Sequence, residues 1–162
     1  MSEPSTYTKI INHWQRNPID WVRDKFPDIK LSSQQREYWL ELGKLIRAKL
    51  KAHSSPSSMT DEEREYSKLI GISIMAGQGV GKDFDAAMSI LFFLDVFAFA
   101  KVTATGLTGK HLRNILWAEC SKVMRLAKRC DHSDPMSETV LEAVLTWQTE
   151  RIFHKGAKNP GA

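Results

Sequence analysis

The stretch "IMAGQGVGKDF", Ile74 to Phe84, constrains the fold of this chain more than any other. Glycines alternate at Gly77, Gly79 and Gly81, and Lys82 follows them. Without a Cβ, such a backbone can curl through angles that other residues resist. The pattern approaches the phosphate-binding loop G-x-x-x-x-G-K-[ST], whose backbone N–H groups cradle phosphates while the lysine reaches the β- and γ-phosphates. Two positions differ. Ala76 stands at the first glycine, and Asp83 replaces the hydroxyl that would hold magnesium.

The surroundings of the loop set its predicted context. "LIGISIMA", from Leu69, is an apolar run rich in isoleucine and bounded by glycines, which predicts a buried strand. A helix is expected through "DFDAAMSILFFLDVFAF", and "AKVTATG" predicts a second short strand. "LTGKHLRNILWAECSKVMRLAKR" reads as a long amphipathic helix with Leu112, Ile115, Leu116, Cys120, Val123 and Leu126 on its apolar side. After a loop at "DHSDPMS", "VLEAVLTWQTERIFHK" is compatible with one or two strands, and "GAKNPGA" with a ragged end. Strand, loop, helix, strand, helix is the start of a parallel α/β sheet with right-handed crossovers.

Upstream, the chain reads as helical. "NPIDWVRDKF" offers Asn17 as a cap, Pro18 at the first helical position and Asp20 in the first turn. In "SSQQREYWLELGKLIRAKLKAH", Tyr38, Leu42, Leu45, Ile46 and Leu50 recur at helical spacing. "SSPSSM" is a solvated linker, and Thr60 with Glu63 forms a capping-box signature. The predicted organisation is a helical region with its linker over 1–59 and a partial phosphate-loop ATPase core over 60–162.

At 162 residues and 42% apolar content, the chain suits a soluble globular domain. A chain of this size buries roughly 70% of its unfolded surface and requires no disulfide staple. The formal charge of +4, with a pI near 9.1, is a mild basic excess compatible with a polyanionic partner. Cys120 and Cys130 are expected as free thiols, and with His132 they fit no standard zinc spacing. "MSILFFLDVFAFA" contains Asp95 and is too short to span a bilayer, so no membrane segment is expected.

Asp83 poses a charge problem for a phosphate site. A carboxylate about 4 Å from a phosphate oxygen repels it by on the order of 4 kcal/mol at an effective dielectric near 20. Either Asp83 ligates magnesium itself, as carboxylates commonly do, or it turns away and caps the following helix. Nucleotide binding should then depend strongly on the metal. A plain strand-to-helix turn with a surface lysine is the alternative to a phosphate site.

Taken together, "HWQRNPIDWVRDKFPDIKLSSQQREYWLELG", "IMAGQGVGKD" and "TGLTGKHLRNILWAE" resemble, in order, the N-terminal ATPase region of large terminase subunits from tailed bacteriophages. The resemblance runs from about Trp14 to Phe153. It implies an ATP-binding, magnesium-dependent motor that packages viral DNA into procapsids. Carried over by position, Gln35 matches the adenine-reading glutamine, with Gln34 as the adjacent alternative. Gly77, Gln78, Gly79, Val80, Gly81, Lys82 and Asp83 occupy the phosphate loop. Lys82 takes the catalytic role on the phosphates, and Asp83 the metal-binding one. Thr105 and Thr108 match the threonines of the second motif, and Trp117 and Glu119 its "LW-x-E" tail. Gln78 stands where many terminases have an arginine, and His111 where glutamine is common.

The resemblance further implies double-stranded DNA, a portal protein and a small terminase subunit as partners, possible ring homo-oligomers, and the cytoplasm of the bacterial host. Hydrolysis needs an acidic strand that holds magnesium and positions water. "ILFFLD", ending at Asp95, is read instead as part of the helix after the loop. The chain is therefore expected to be a truncated piece that binds nucleotide with little or no turnover. The alternatives are a free-standing nucleotide- or protein-binding module and an unrelated small phosphate-loop kinase. Lys110, Arg113, Lys122, Arg125, Lys128 and Arg129 form either a DNA-contacting stripe or a solvated helix face. Arg125 or Arg129 could also serve a neighbouring subunit as an arginine finger.

Overall fold

Three residues that precede a proline each end a helix. In the computed structural model, which describes residues 6–75, 81–106 and 108–127, α1 (Thr6–Arg16) stops before Asn17–Pro18. The second helix, α2 (Pro18–Lys25), stops at Phe26 before Pro27, and α3 (Ser33–Ser54) stops at Ser55 before Pro56. Asn17, Phe26 and Ser55 have φ of −132°, −131° and −154° with ψ of 73°, 61° and 62°. The proline ring clashes with the preceding residue in the helical region and forces it out. Pro18 itself opens α2, where its missing N–H costs nothing. Asn17 does not cap that helix through its side chain; its Nδ2 donates to the His13 carbonyl at 3.1 Å.

The chain divides into two compact units, Met1–Lys82 and Asp83–Ala162. In the first, α1, α2 and α4 (Asp61–Lys68) pack on the long α3. Trp21 and Trp39 are fully buried, their ring centroids 6.2 Å apart, and Phe26 meets Trp21 edge-on at 5.3 Å. Leu42, Leu45, Ile46 and Ala48 continue the buried stripe of α3 at the expected spacing. The Trp14 indole donates to Asp24 Oδ2 at 2.8 Å, and the buried Lys25 ammonium lies 5.1 Å from the Trp14 ring centroid. A 3₁₀ turn at Pro56–Ser58 leads to α4, whose capping box between Thr60 and Glu63 is present as the sequence predicts. Lys51 binds Glu63 at 2.6 Å and Tyr66 donates to Glu41 at 2.7 Å, which ties α4 to α3.

In the second unit, α5 (Lys82–Val96) is buried nearly all round, through Ala87, Met88, Ile90, Leu91, Phe92, Leu94 and Val96. A helix apolar on every face is an interior helix. Asp95 is part of it and buried, so "ILFFLD" is helix, as read from the sequence. Three consecutive stretches follow: α6 (Gly109–His111), a π-helical segment (Leu112–Trp117) and α7 (Ala118–Leu126).

The expected parallel α/β sheet is overturned. Among the described residues there is no β-strand. Leu69–Met75, read as a buried strand, is irregular and exposed, with Ile70 and Met75 at 104% and 97% of full accessibility. Ala100–Gly106, the second expected strand, is also irregular. Isoleucine-rich composition gives a segment strand propensity, but a strand also needs a neighbour to pair with. "VLEAVLTWQTERIFHK" lies outside the described residues.

Candidate functional site

Gly77, Gln78, Gly79 and Val80 lie outside the described residues; Gly81, Lys82 and Asp83 are described. Gly81 has φ +85°, a left-handed conformation that side chains with a Cβ adopt only under strain. Lys82 then opens α5 and is exposed, and Asp83 stands exposed in the first turn. A 15-residue helix beginning at Lys82 carries unpaired N–H groups and partial positive charge at that end. Asp83 is therefore favourable to the helix whether or not it binds metal.

Gln35 comes to the same place from a distant part of the sequence. A Cβ built on Gly81 would lie 3.2 Å from Gln35 Nε2, tighter than ordinary packing allows. The glutamine is held there by its own helix start. Ser32 Oγ accepts from the Gln35 backbone N–H at 3.2 Å, and Gln35 Oε1 accepts from the Ser32 N–H at 3.0 Å. This capping box fixes one end of the side-chain amide and aims the other at Gly81. The structure thus brings together Gln35 and Gly81, with Lys82 next in the chain. Gln34, the alternative, is exposed. The S-x-x-Q spacing from Ser32 to Gln35 is the signal that would have revealed the anchoring serine, and the sequence reading passed over it.

The second group of expected residues does not form a comparable cluster. Thr105 and Thr108 are exposed on irregular chain. Trp117 is buried at the end of the π segment, and Glu119 pairs with Lys122 at 3.3 Å. Lys122 also lies 5.9 Å from the Phe84 ring centroid, so it supports the packing of its own unit. Lys110, Arg113 and Arg125 are exposed, while Lys128 and Arg129 lie outside the described residues.

Cys120 is buried, and loss of solvation pushes its thiol up to about 12, which removes it as a nucleophile at neutral pH. Cys130 and His132 lie outside the described residues. Among the described residues, no group of three or more His, Cys, Asp or Glu side chains could hold a metal ion.

Two surface recesses lie elsewhere in the first unit. One of about 250 Å³ is lined by Val22, Phe26, Ile29 and Leu31, with Arg23 and Arg36. The other, about 320 Å³, gathers Arg16, Arg47 and Lys51 near the ends of α1 and α3. Arg47 donates to the Arg16 carbonyl at 2.6 Å, and Lys51 is paired with Glu63. Cations at helix C-termini offset the negative end of the dipole, which accounts for this cluster without a ligand.

Scanned against protein-family models, curated proteins and solved structures, the chain matches none. Among the described residues no helix is long and apolar enough to cross a membrane.

Proposed function

We propose that this chain binds ATP through the loop that ends at Gly81 and Lys82, as part of a DNA-packaging ATPase of the large-terminase kind. The observation that carries the reading is the position of Gln35. Two segments expected to serve one nucleotide, 46 positions apart (35 to 81), come together, with Gln35 Nε2 3.2 Å from where a Cβ on Gly81 would stand. The left-handed backbone of Gly81 and the helix start at Lys82 add to it.

In this reading the N–H groups at the start of α5 and the loop backbone hold the phosphates. Lys82 adds a point charge on the β- and γ-phosphates. Gln35, whose amide can donate and accept at once, recognises adenine or steadies the loop that does. Magnesium usually keeps several waters and takes one or two carboxylates together with phosphate oxygens. Asp83 suits that arrangement, which needs no all-protein cage. No residue named here is assigned the activation of water, so the reading concerns binding and not turnover. Double-stranded DNA, portal protein, small terminase subunit and ring partners belong to the same proposal through the resemblance alone.

Calorimetric titration with ATP, ADP and GTP in magnesium buffer tests it. Saturable heat for ATP, weaker for GTP, is expected. Absence of heat with all three nucleotides contradicts the reading.

A further inference from the structure

Between α4 and the glycine loop, five of the seven residues in Leu69–Met75 are large and apolar, and all five are exposed. Leu69 leaves α4 in an extended conformation, φ −63° and ψ 134°, and none of residues 70–75 has a positive φ. Among the described residues, none exchanges a backbone hydrogen bond with residues 70–75. An uncharged, isoleucine-rich segment whose backbone no described residue pairs is a template for strand pairing.

The order of residues identifies what would pair with it. In an extended chain Ile70, Ile72 and Ile74 share one face, and Leu69, Gly71, Ser73 and Met75 the other. "IGISI" reads nearly the same in both directions about Ile72. Laid antiparallel on a second copy about a two-fold axis through Ile72, Ile70 falls opposite Ile74, Ile72 opposite Ile72, and Gly71 opposite Ser73. Isoleucine is β-branched and enriched in strands, where it packs against its cross-strand neighbours. No like charges meet either, because Leu69–Met75 carries none and the register does not set the two copies of Lys68 opposite one another. An interface in which the same patch serves both partners is the isologous contact of a two-fold dimer.

We propose that Leu69–Met75 is a self-pairing segment that joins two copies of this chain as an antiparallel strand pair centred on Ile72. The inference is independent of the nucleotide reading, since it uses none of the residues that would touch phosphate or adenine.

Cysteine cross-linking in the full chain tests the register. With Cys130→Ser as background and the buried Cys120 retained, Ile72→Cys is oxidised and followed on non-reducing gels. Ser57→Cys, in the exposed 3₁₀ turn, reports random collision. Ile72→Cys should cross-link about tenfold faster or more than Ser57→Cys, because Cα atoms opposite one another are within disulfide reach. Ile70→Cys alone should match the collision control. The two copies of that residue lie four residues apart along the pair, roughly 13 Å and beyond a disulfide. A mixture of Ile70→Cys and Ile74→Cys should recover the fast rate. Sedimentation equilibrium of the unaltered chain should show a dimer that Ile72→Lys abolishes while the helical circular dichroism is kept. Equal rates at positions 57, 70 and 72, a dimer untouched by Ile72→Lys, or a monomer at every concentration each overturns the proposal.

Discussion

The side-chain amide of Gln35 stands where a side chain on Gly81 would begin, with Nε2 only 3.2 Å from that Cβ position. The φ of +85° calls for glycine there, and a Cβ would also have to displace the Gln35 amide by a few tenths of an ångström. Gly81→Ala is expected to cost about 1–2 kcal/mol from the left-handed backbone alone, and more from the contact. In urea unfolding, Gln35→Ala combined with Gly81→Ala should cost less than the sum of the two single changes. Removing the amide relieves the contact and leaves only the backbone strain. Strict additivity would show that the two residues do not touch.

Gln35 has a structural task as well as a proposed binding one, and two substitutions separate them. Ser32→Ala removes the cap of α3 and should destabilise the chain by about 1 kcal/mol. Gln35→Glu keeps the capping box, since glutamate fills that position equally well. Its thermal midpoint should stay near that of the unaltered chain. A large loss of stability in Gln35→Glu would mean that the amide nitrogen, not the carbonyl oxygen, holds the helix start.

The carboxylates between α3 and α4 should give the chain an acid limit. Hydrogen bonding from Lys44, then from Tyr66, holds Glu41 below its ordinary value of 4.5, and hydrogen bonding from Lys51, then from the Thr60 backbone, does the same for Glu63. A carboxylate lowered in the folded state stabilises it above the unfolded value, and that stability is lost as pH falls through the lowered one. The thermal midpoint should therefore drop on acidification below about 4.5. Glu41→Gln should flatten that drop. An unchanged acid limb in Glu41→Gln and Glu63→Gln together would assign the effect to other groups.

Cys120 should be nearly inert in the folded chain. A rise from 9.0 to about 12 leaves on the order of 1,000-fold less thiolate at pH 8. In a Cys130→Ser background, alkylation of the native chain should be slow and should accelerate sharply in urea. Fast labelling without denaturant would contradict the burial of α7.

What could be read from the sequence was local. The breaks at Pro18 and Pro56 and the Thr60–Glu63 cap need only nearby residues, and they stand where the sequence puts them. The strand expected from Leu69 does not form over Leu69–Met75, because pairing depends on a partner that propensity does not supply. The phase of the last helix was readable in part: Cys120 and Val123 are buried, as expected. Ile115 and Leu126, expected on its apolar side, are 37% and 52% exposed, while Trp117 and Met124 are buried. Ile115 lies within the π segment, whose bonding to the fifth residue instead of the fourth departs from the spacing of an α-helix. For the candidate site, the glycine loop announced itself by composition, whereas the approach of Gln35 to Gly81 is a tertiary contact.

The most direct test is the affinity of a fluorescent ATP analogue, with and without magnesium, for the unaltered chain, Lys82→Ala and Gln35→Glu. Binding should depend on magnesium and be weakened about tenfold or more by Lys82→Ala through loss of a charge-assisted contact worth roughly 1.5–3 kcal/mol. Gln35→Glu, folded and capped, should also bind more weakly, since it replaces an amide donor with a negative charge. Equal affinity in all three proteins, with or without the metal, would contradict the claim that Gln35, Gly81 and Lys82 form a nucleotide site.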